Sequence, residues 1–179
     1  MVIVVNLIGL GGCASNADVN QMIYQSPIKQ KPENVSLIKS ITVGQVMGGH
    51  ETNPMLGPQI NNANFKAALV QSLQQANLYH SFSGAPYILN ADLVNLEQPL
   101  LGLNLTVIYT VHYQLKNVPK NKTIYDKNIV ASYTAKVSDS LLAVKRLKLA
   151  NEGAARANIE KLITDLYQLP IDSRNIYAG

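Results

Sequence analysis

The sequence predicts an α+β domain in which two helices pack on one face of a four-stranded, mainly antiparallel sheet, in the order β-α-β-β-β-α. Three observations carry this. Leu105, Val107, Tyr109, Val111, Tyr113 and Leu115 alternate with Thr106, Thr110, His112 and Gln114, the two-residue period of a strand with one face on a core. Phe65, Ala68, Leu69, Leu73 and Ala76 recur at helical spacing, as do Ala155, Ile159, Leu162, Leu166 and Leu169. Turn-forming clusters separate these periodic segments, and no internal repeat joins them.

Element by element, Leu37 to Val46 reads as a first strand, with Leu37, Ile41 and Val43 among its β-formers. A Gly/Pro-rich loop follows, and Asn61 or Asn62 can cap the first helix. That helix ends at Asn77 and the Ser83-Gly84-Ala85-Pro86 turn. Tyr87 to Leu96 forms a second strand, with Tyr87, Leu89, Ala91 and Leu93 on one face. Leu105 to Leu115 is the third. A basic turn, Lys116 to Lys122, leads to a fourth over Thr123 to Val137. Ser138, Asp139 or Ser140 can cap the last helix, which Pro170 stops. A helix from Ser140 to Leu169 would be about 45 Å long and so would overhang the sheet or bend near Gly153. Asn151, Glu152, Arg156 and Asn158 form a polar group on it. A solvated face is the simpler reading of that group, and a network bracing the helix on the sheet the alternative.

The chain has a single cysteine, which excludes a disulfide framework and a Cys-based zinc site within one chain. It closes Leu10-Gly11-Gly12-Cys13 after the apolar stretch Val2 to Gly9, a pattern that resembles the bacterial lipobox. No Lys or Arg precedes that stretch, which departs from an ordinary signal peptide, and a buried free thiol after a strand is the alternative reading. The resemblance implies cleavage before Cys13, acyl chains on its sulfur and amino group, and a membrane partner through them. Ala14, where an inner-membrane retention signal would place Asp, favours the outer membrane, with the protein on its periplasmic face. The chain then divides into a signal peptide over 1–12, an acylated cysteine and flexible tether over 13–36, one domain over 37–170 and a tail over 171–179.

The excess of fifteen Lys and Arg over eleven Asp and Glu is too mild to point to nucleic acid, and none is expected as a partner. His50, His80 and His112 lack the spacing of a helical metal pair, and neither a metal nor a cofactor is expected. Gly48-Gly49 lacks the Lys-Ser/Thr of a phosphate loop, and Ser83-Gly84 lacks the glycine of a nucleophile elbow. No catalytic residue is assigned and the chain is not read as an enzyme.

Topology gives the candidate site. A helix returning from the first strand makes the second parallel to it, so three loops meet at one end of the domain. They carry Met47, His50, Met55, Leu56, Leu100, Leu101, Leu141 and Leu142, where turns ordinarily carry polar residues. Either these side chains fold over the end of the core, or they form an apolar binding end for a lipid or protein partner, opposite the tethered end.

The lipobox, the tether, the element order and Asn64-Phe65-Lys66-Ala67-Ala68-Leu69 at the start of the first helix resemble small outer-membrane accessory lipoproteins. These include the lipopolysaccharide-assembly lipoprotein and the auxiliary lipoproteins of lipid-transport systems. Glu97 to Leu103, Tyr133-Thr134-Ala135 and Leu147 to Ile159 are similar to segments of a set of uncharacterised proteobacterial lipoproteins. The resemblance implies a non-catalytic accessory or interaction module in envelope assembly or lipid and lipopolysaccharide transport, its partner an envelope protein complex or a lipid. A carrier for a lipid or glycolipid is the alternative. Some of those relatives carry an acyltransferase label, but such enzymes are built on hexapeptide repeats that this chain lacks.

Overall fold

A computed structural model describes residues 16–25, 35–52, 58–99 and 101–170. Cys13, Met55, Leu56 and Leu100 lie outside the described residues. The elements are α1 (Val19–Met22), β1 (Ile41–Met47), α2 (Asn62–Gln75), β2 (Tyr87–Glu97), β3 (Leu105–Asn117), β4 (Lys122–Ala135) and α3 (Ala143–Gln168). The strands form one sheet in the order β1-β2-β3-β4, with β1 parallel to β2 and the other pairs antiparallel. The α+β architecture matches the expectation, with the helices on one side.

The alternation in β3 does what its period requires. Leu105, Val107, Tyr109, Val111, Tyr113 and Leu115 are all buried, under a helical layer that includes Phe65, Leu69, Leu73, Ile159, Leu162 and Leu166. Phe65 meets Tyr109 edge-on, with ring centroids 6.0 Å apart. Asn61 is the cap of α2, its Oδ1 accepting from Asn64 N at 2.8 Å. Asn62 instead holds the preceding loop, accepting from Gly49 N at 2.7 Å.

Two strand boundaries move for local reasons. Leu37 is buried in a short 3-10 turn, because Lys39 takes a left-handed φ of 50° and breaks the extended chain before Ile41. The fourth strand stops at Ala135 rather than Val137, where Asp139 Oδ2 accepts from Lys136 N at 2.7 Å and closes a turn.

The larger correction concerns the tether. Residues 16–25, expected to be free chain, pack between α2 and α3, with Ala17, Met22, Ile23 and Tyr24 buried. Their main chain is bonded largely by side chains of the domain. Asp18 N donates to Glu152 Oε1 at 2.7 Å, and Tyr24 N to Ser72 Oγ at 2.9 Å. Asn64 Nδ2 donates to Ala17 O at 2.9 Å, and Arg156 Nη1 donates to Gln21 O. A segment without a helical or strand period is thus ordered by burying Met22, Ile23 and Tyr24 and by satisfying its amides and carbonyls.

The polar group on α3 braces the helix rather than facing water. Asn158 is fully buried, with Nδ2 donating to Tyr109 O at 3.0 Å and to Ile129 O at 2.8 Å, while its Oδ1 accepts from Tyr113 OH at 3.0 Å. One amide thereby ties α3 to β3 and β4 together.

Gly153 serves the same close approach. A Cβ there would lie 2.3 Å from the Tyr133 ring. Gly153→Ala should therefore destabilise by up to about 2 kcal/mol, the overpacking cost of roughly 1–3 kcal/mol less the helix-propensity gain of about 1 kcal/mol. In a Tyr133→Ala background only the propensity gain, up to about 1 kcal/mol, should remain. Urea midpoints of the four proteins give the coupling, and a Gly153→Ala cost that persists without the ring would contradict this account.

Candidate functional site

The exits of β1, β2 and β4 lie at one end of the sheet, as their pairing demands. The N-terminal segment enters at this same end, not the opposite one. Ala17 N donates to Gln59 O at 3.3 Å, Thr52 N to Asn16 Oδ1 at 3.3 Å and Asn16 Nδ2 to Glu51 Oε2 at 3.4 Å. The expectation that the tether leaves from the far end failed because residues 16–25 run along the helices instead of hanging from β1.

Among the expected site residues, the structure groups Leu101, Leu141 and Leu142 and leaves them in solvent at 91%, 86% and 68% exposure. Leu103 and Val144 join them as exposed apolar side chains that the sequence reading did not assign. The described leucines do not cap the core. Arg146 sets the two loops side by side: Nη1 donates to Ser140 O at 2.8 Å and Leu141 O at 2.9 Å, and Nη2 to Gly102 O at 3.3 Å. It is itself buried, so a guanidinium is committed to holding backbone carbonyls beneath exposed leucines.

Leu142 is also the N-cap residue of α3 and makes no side-chain capping bond. Ser140, an expected cap, accepts from Leu142 N at 3.2 Å, one step short of the helix. Ser or Asp at a cap is worth about 1 kcal/mol over an apolar residue, a contribution this sequence forgoes where it places a leucine.

Next to the leucines a half-open groove of about 570 Å³ lies between the N-terminal segment and the first turns of α3. Leu142, Val144 and Leu149 give it an apolar lining, Lys145 and Lys148 stand on it, and Asp18 and Glu152 close it toward the interior. Its size is that of a small-ligand site. Burial pushes the Glu152 carboxyl above its ordinary value, outweighing the Asp18 amide and Lys148, which favour its charge. Lys148 Nζ lies 3.9 Å away. Beside it, buried Asn151 donates to Pro58 O at 2.9 Å and so fixes the β1–α2 loop against α3.

The other two described candidates lie elsewhere on this end. His50 lines a small cavity of about 230 Å³ with Gly48, Gln59, Leu96 and Tyr109. Met47 is half-exposed and lies with Gln45, Asp92, His112 and Gln114 around a depression of about 160 Å³. There Asp126 accepts from His112 Nε2 at 2.6 Å and from Gln114 Nε2 at 2.9 Å, and these bonds hold its carboxyl below the ordinary range. Neither residue meets the leucine cluster. The sequence carries no signal that marks Asp18, Arg146 or Val144, and Glu152 stands out only by its helical spacing with Arg156.

No family model matches the chain, and no curated protein matches it. Solved structures share its architecture. The chain is similar to XCC0632 of Xanthomonas campestris, of family DUF330, at 11% identity over 82% of this chain and 95% of that one, with a TM-score of 0.52. It is similar to CT253 of Chlamydia trachomatis at 13% identity over 72% and 95% of the two chains, with a TM-score of 0.52. A minor lipoprotein of Acinetobacter baumannii aligns at 9% identity over 74% and 93%, with a TM-score of 0.49. At these identities the likeness is one of fold alone.

Glu152 yields a test of the N-terminal latch. Glu152→Ala leaves the Asp18 amide without its acceptor and should cost about 1–3 kcal/mol. Glu152→Gln keeps an acceptor and removes the charge. Because the folded carboxyl binds its proton more tightly than the unfolded one, its contribution is fully present below the unfolded value of 4.5 and is lost as pH rises through the folded value. Stability of the Gln variant relative to the native chain should therefore rise as pH climbs above 4.5 and be flat below it. Urea midpoints across that range check the slope, and the opposite slope would refute a carboxyl disfavoured by burial.

Proposed function

We propose that this chain is an outer-membrane lipoprotein, held by acyl chains on Cys13 at the periplasmic face, that works as a non-catalytic accessory in envelope assembly or lipid transport. The observation that carries the reading is the apolar end itself. Leu101, Leu103, Leu141 and Leu142 stand in solvent over loops that buried Arg146 holds together, while Asn151 and Glu152 fix Pro58 and Asp18 beside them. Exposed apolar side chains gathered in one place mark an interaction surface. The lipobox-like Leu10-Gly11-Gly12-Cys13 supplies the membrane half of the reading.

The second reading, a carrier that takes up a lipid or glycolipid, is favoured by the groove between the N-terminal segment and α3. A closed end would have spoken for docking alone. A volume of about 570 Å³ with apolar walls and two lysines suits an acyl chain with an anionic headgroup.

Cys13→Ser should abolish incorporation of a fatty-acid analogue and release the protein from the membrane fraction; label that persists in the variant would defeat the lipoprotein reading. The two functions separate in the groove. Val144 is half-exposed, so Val144→Asp should change stability by no more than about 0.5 kcal/mol. If the protein is a carrier, lipid that co-purifies with the native chain should be lost from this variant. Native protein that holds no lipid but crosslinks to an envelope protein would select the docking role instead.

A further inference from the structure

The apolar end and the proposed anchor point coincide, and this fixes what the leucines face. Asn16, Ala17 and Asp18 are bonded to Thr52, Gln59 and Glu152 at the loop end of the domain. Cys13 lies three residues before Asn16, and three residues of extended chain span at most about 11 Å. Acyl chains on Cys13 are therefore tethered within that reach of Asn16, at the loop end that also carries Leu141 and Leu142, rather than at the end of a long spacer. The groove between them is walled on one side by Asp18 and Gln21 of the entering segment and on the other by Leu142 and Val144.

From this placement we infer that the loop end docks on the lipid bilayer itself, with Leu101, Leu103, Leu141 and Leu142 inserted at the boundary between headgroups and acyl chains. The inference rests on the lipoprotein reading for the anchor, and it names the occupant of the apolar end as membrane lipid. The leucines project from loop tips with no described residue covering them, as insertion requires. Lys145 and Lys148 follow three and six residues after Leu142, within about 9 Å along the helix. Apolar faces of interfacial elements sink about 5–10 Å, which brings both ammonium groups to the level of lipid phosphates. Several acyl chains on one residue hold the protein at the membrane without orienting it, and a second apolar contact beside them would fix the orientation of the domain. α3 would then begin at the membrane, and the Lys116–Lys122 turn would point away from it.

The test uses the full-length precursor matured in cells and reconstituted in vesicles of phosphatidylethanolamine and phosphatidylglycerol. Spin labels are placed by Leu101→Cys, Leu142→Cys and, at the opposite end, Val118→Cys, while the mass of the same preparation reports acylation of Cys13. Labels at 101 and 142 should collide several-fold more with oxygen, and several-fold less with a water-soluble nickel complex, than the label at 118. Equal exposure to the nickel complex at all three positions overturns docking even if Cys13 is acylated. Labels at 101 and 142 shielded from both relaxants overturn it as well, and indicate a second copy covering the leucines. A lipid-exposed signature on a chain whose Cys13 carries no acyl group supports docking and refutes the anchor.

Discussion

The bond from the Asp18 amide to the buried Glu152 carboxylate decides where the chain enters the domain, and much else follows from it. Once Asp18 is fixed beside the third turn of α3, Met22 and Tyr24 are delivered into the space between α2 and α3. Arg156 then reaches Gln21 O, and Ser72 Oγ receives the Tyr24 amide while donating to Ala68 O. The same bond makes the entering segment one wall of the groove. Burying a carboxylate is costly unless it is bonded, and here the cost is offset in part by a main-chain amide that would itself be orphaned without it. The latch stabilises by mutual satisfaction more than by charge pairing, since Lys148 sits at the edge of ion-pair distance and Arg156 donates to Gln21 O.

The sheet and the two long helices were legible because their signals are periodic. Six alternating residues of β3 sit on the core with no exception, and the apolar stripe of α2 falls on buried positions. The segment 16–25 was not legible, because its order comes from partners far away in sequence. Glu152, Ser72, Asn64 and Arg156 bond to its main chain, and a main-chain bond leaves no mark on the residues that supply the amide. For the same reason Asn151, Glu152 and Asn158 read as a solvated face. Helical spacing reports that polar groups share a side, not whether water or backbone carbonyls satisfy them.

The candidate site was legible in part. Parallel pairing of β1 and β2 brought the loops to one end, and Leu101, Leu141 and Leu142 meet there in solvent. His50 and Met47 share the end but not the surface, because the left-handed turn at Gly48 (φ 77°) and the packing of Gly49 against Asn62 separate them. What the sequence could not give was the framework under the leucines. Arg146 looks like any helical surface arginine, yet it is buried with its guanidinium on loop carbonyls. A leucine at the α3 cap position likewise contradicts local preference, and such conflicts concentrate where a surface has work other than folding.

The way the entering segment is bonded also has a mechanical consequence. Its attachments to the helices, at Ala17, Asp18, Gln21 and Tyr24, lie in series along the chain. A load applied from the N-terminal side meets them one after another, in the peeling direction, rather than all at once as in a shearing sheet. Detaching residues 16–25 would pay out about 33 Å of extended chain, while the β-sheet, stitched by its own ladders, would stay intact. A pull from that side would therefore lengthen the strip first, at the cost of uncovering Met22, Ile23 and Tyr24, before it reached the sheet.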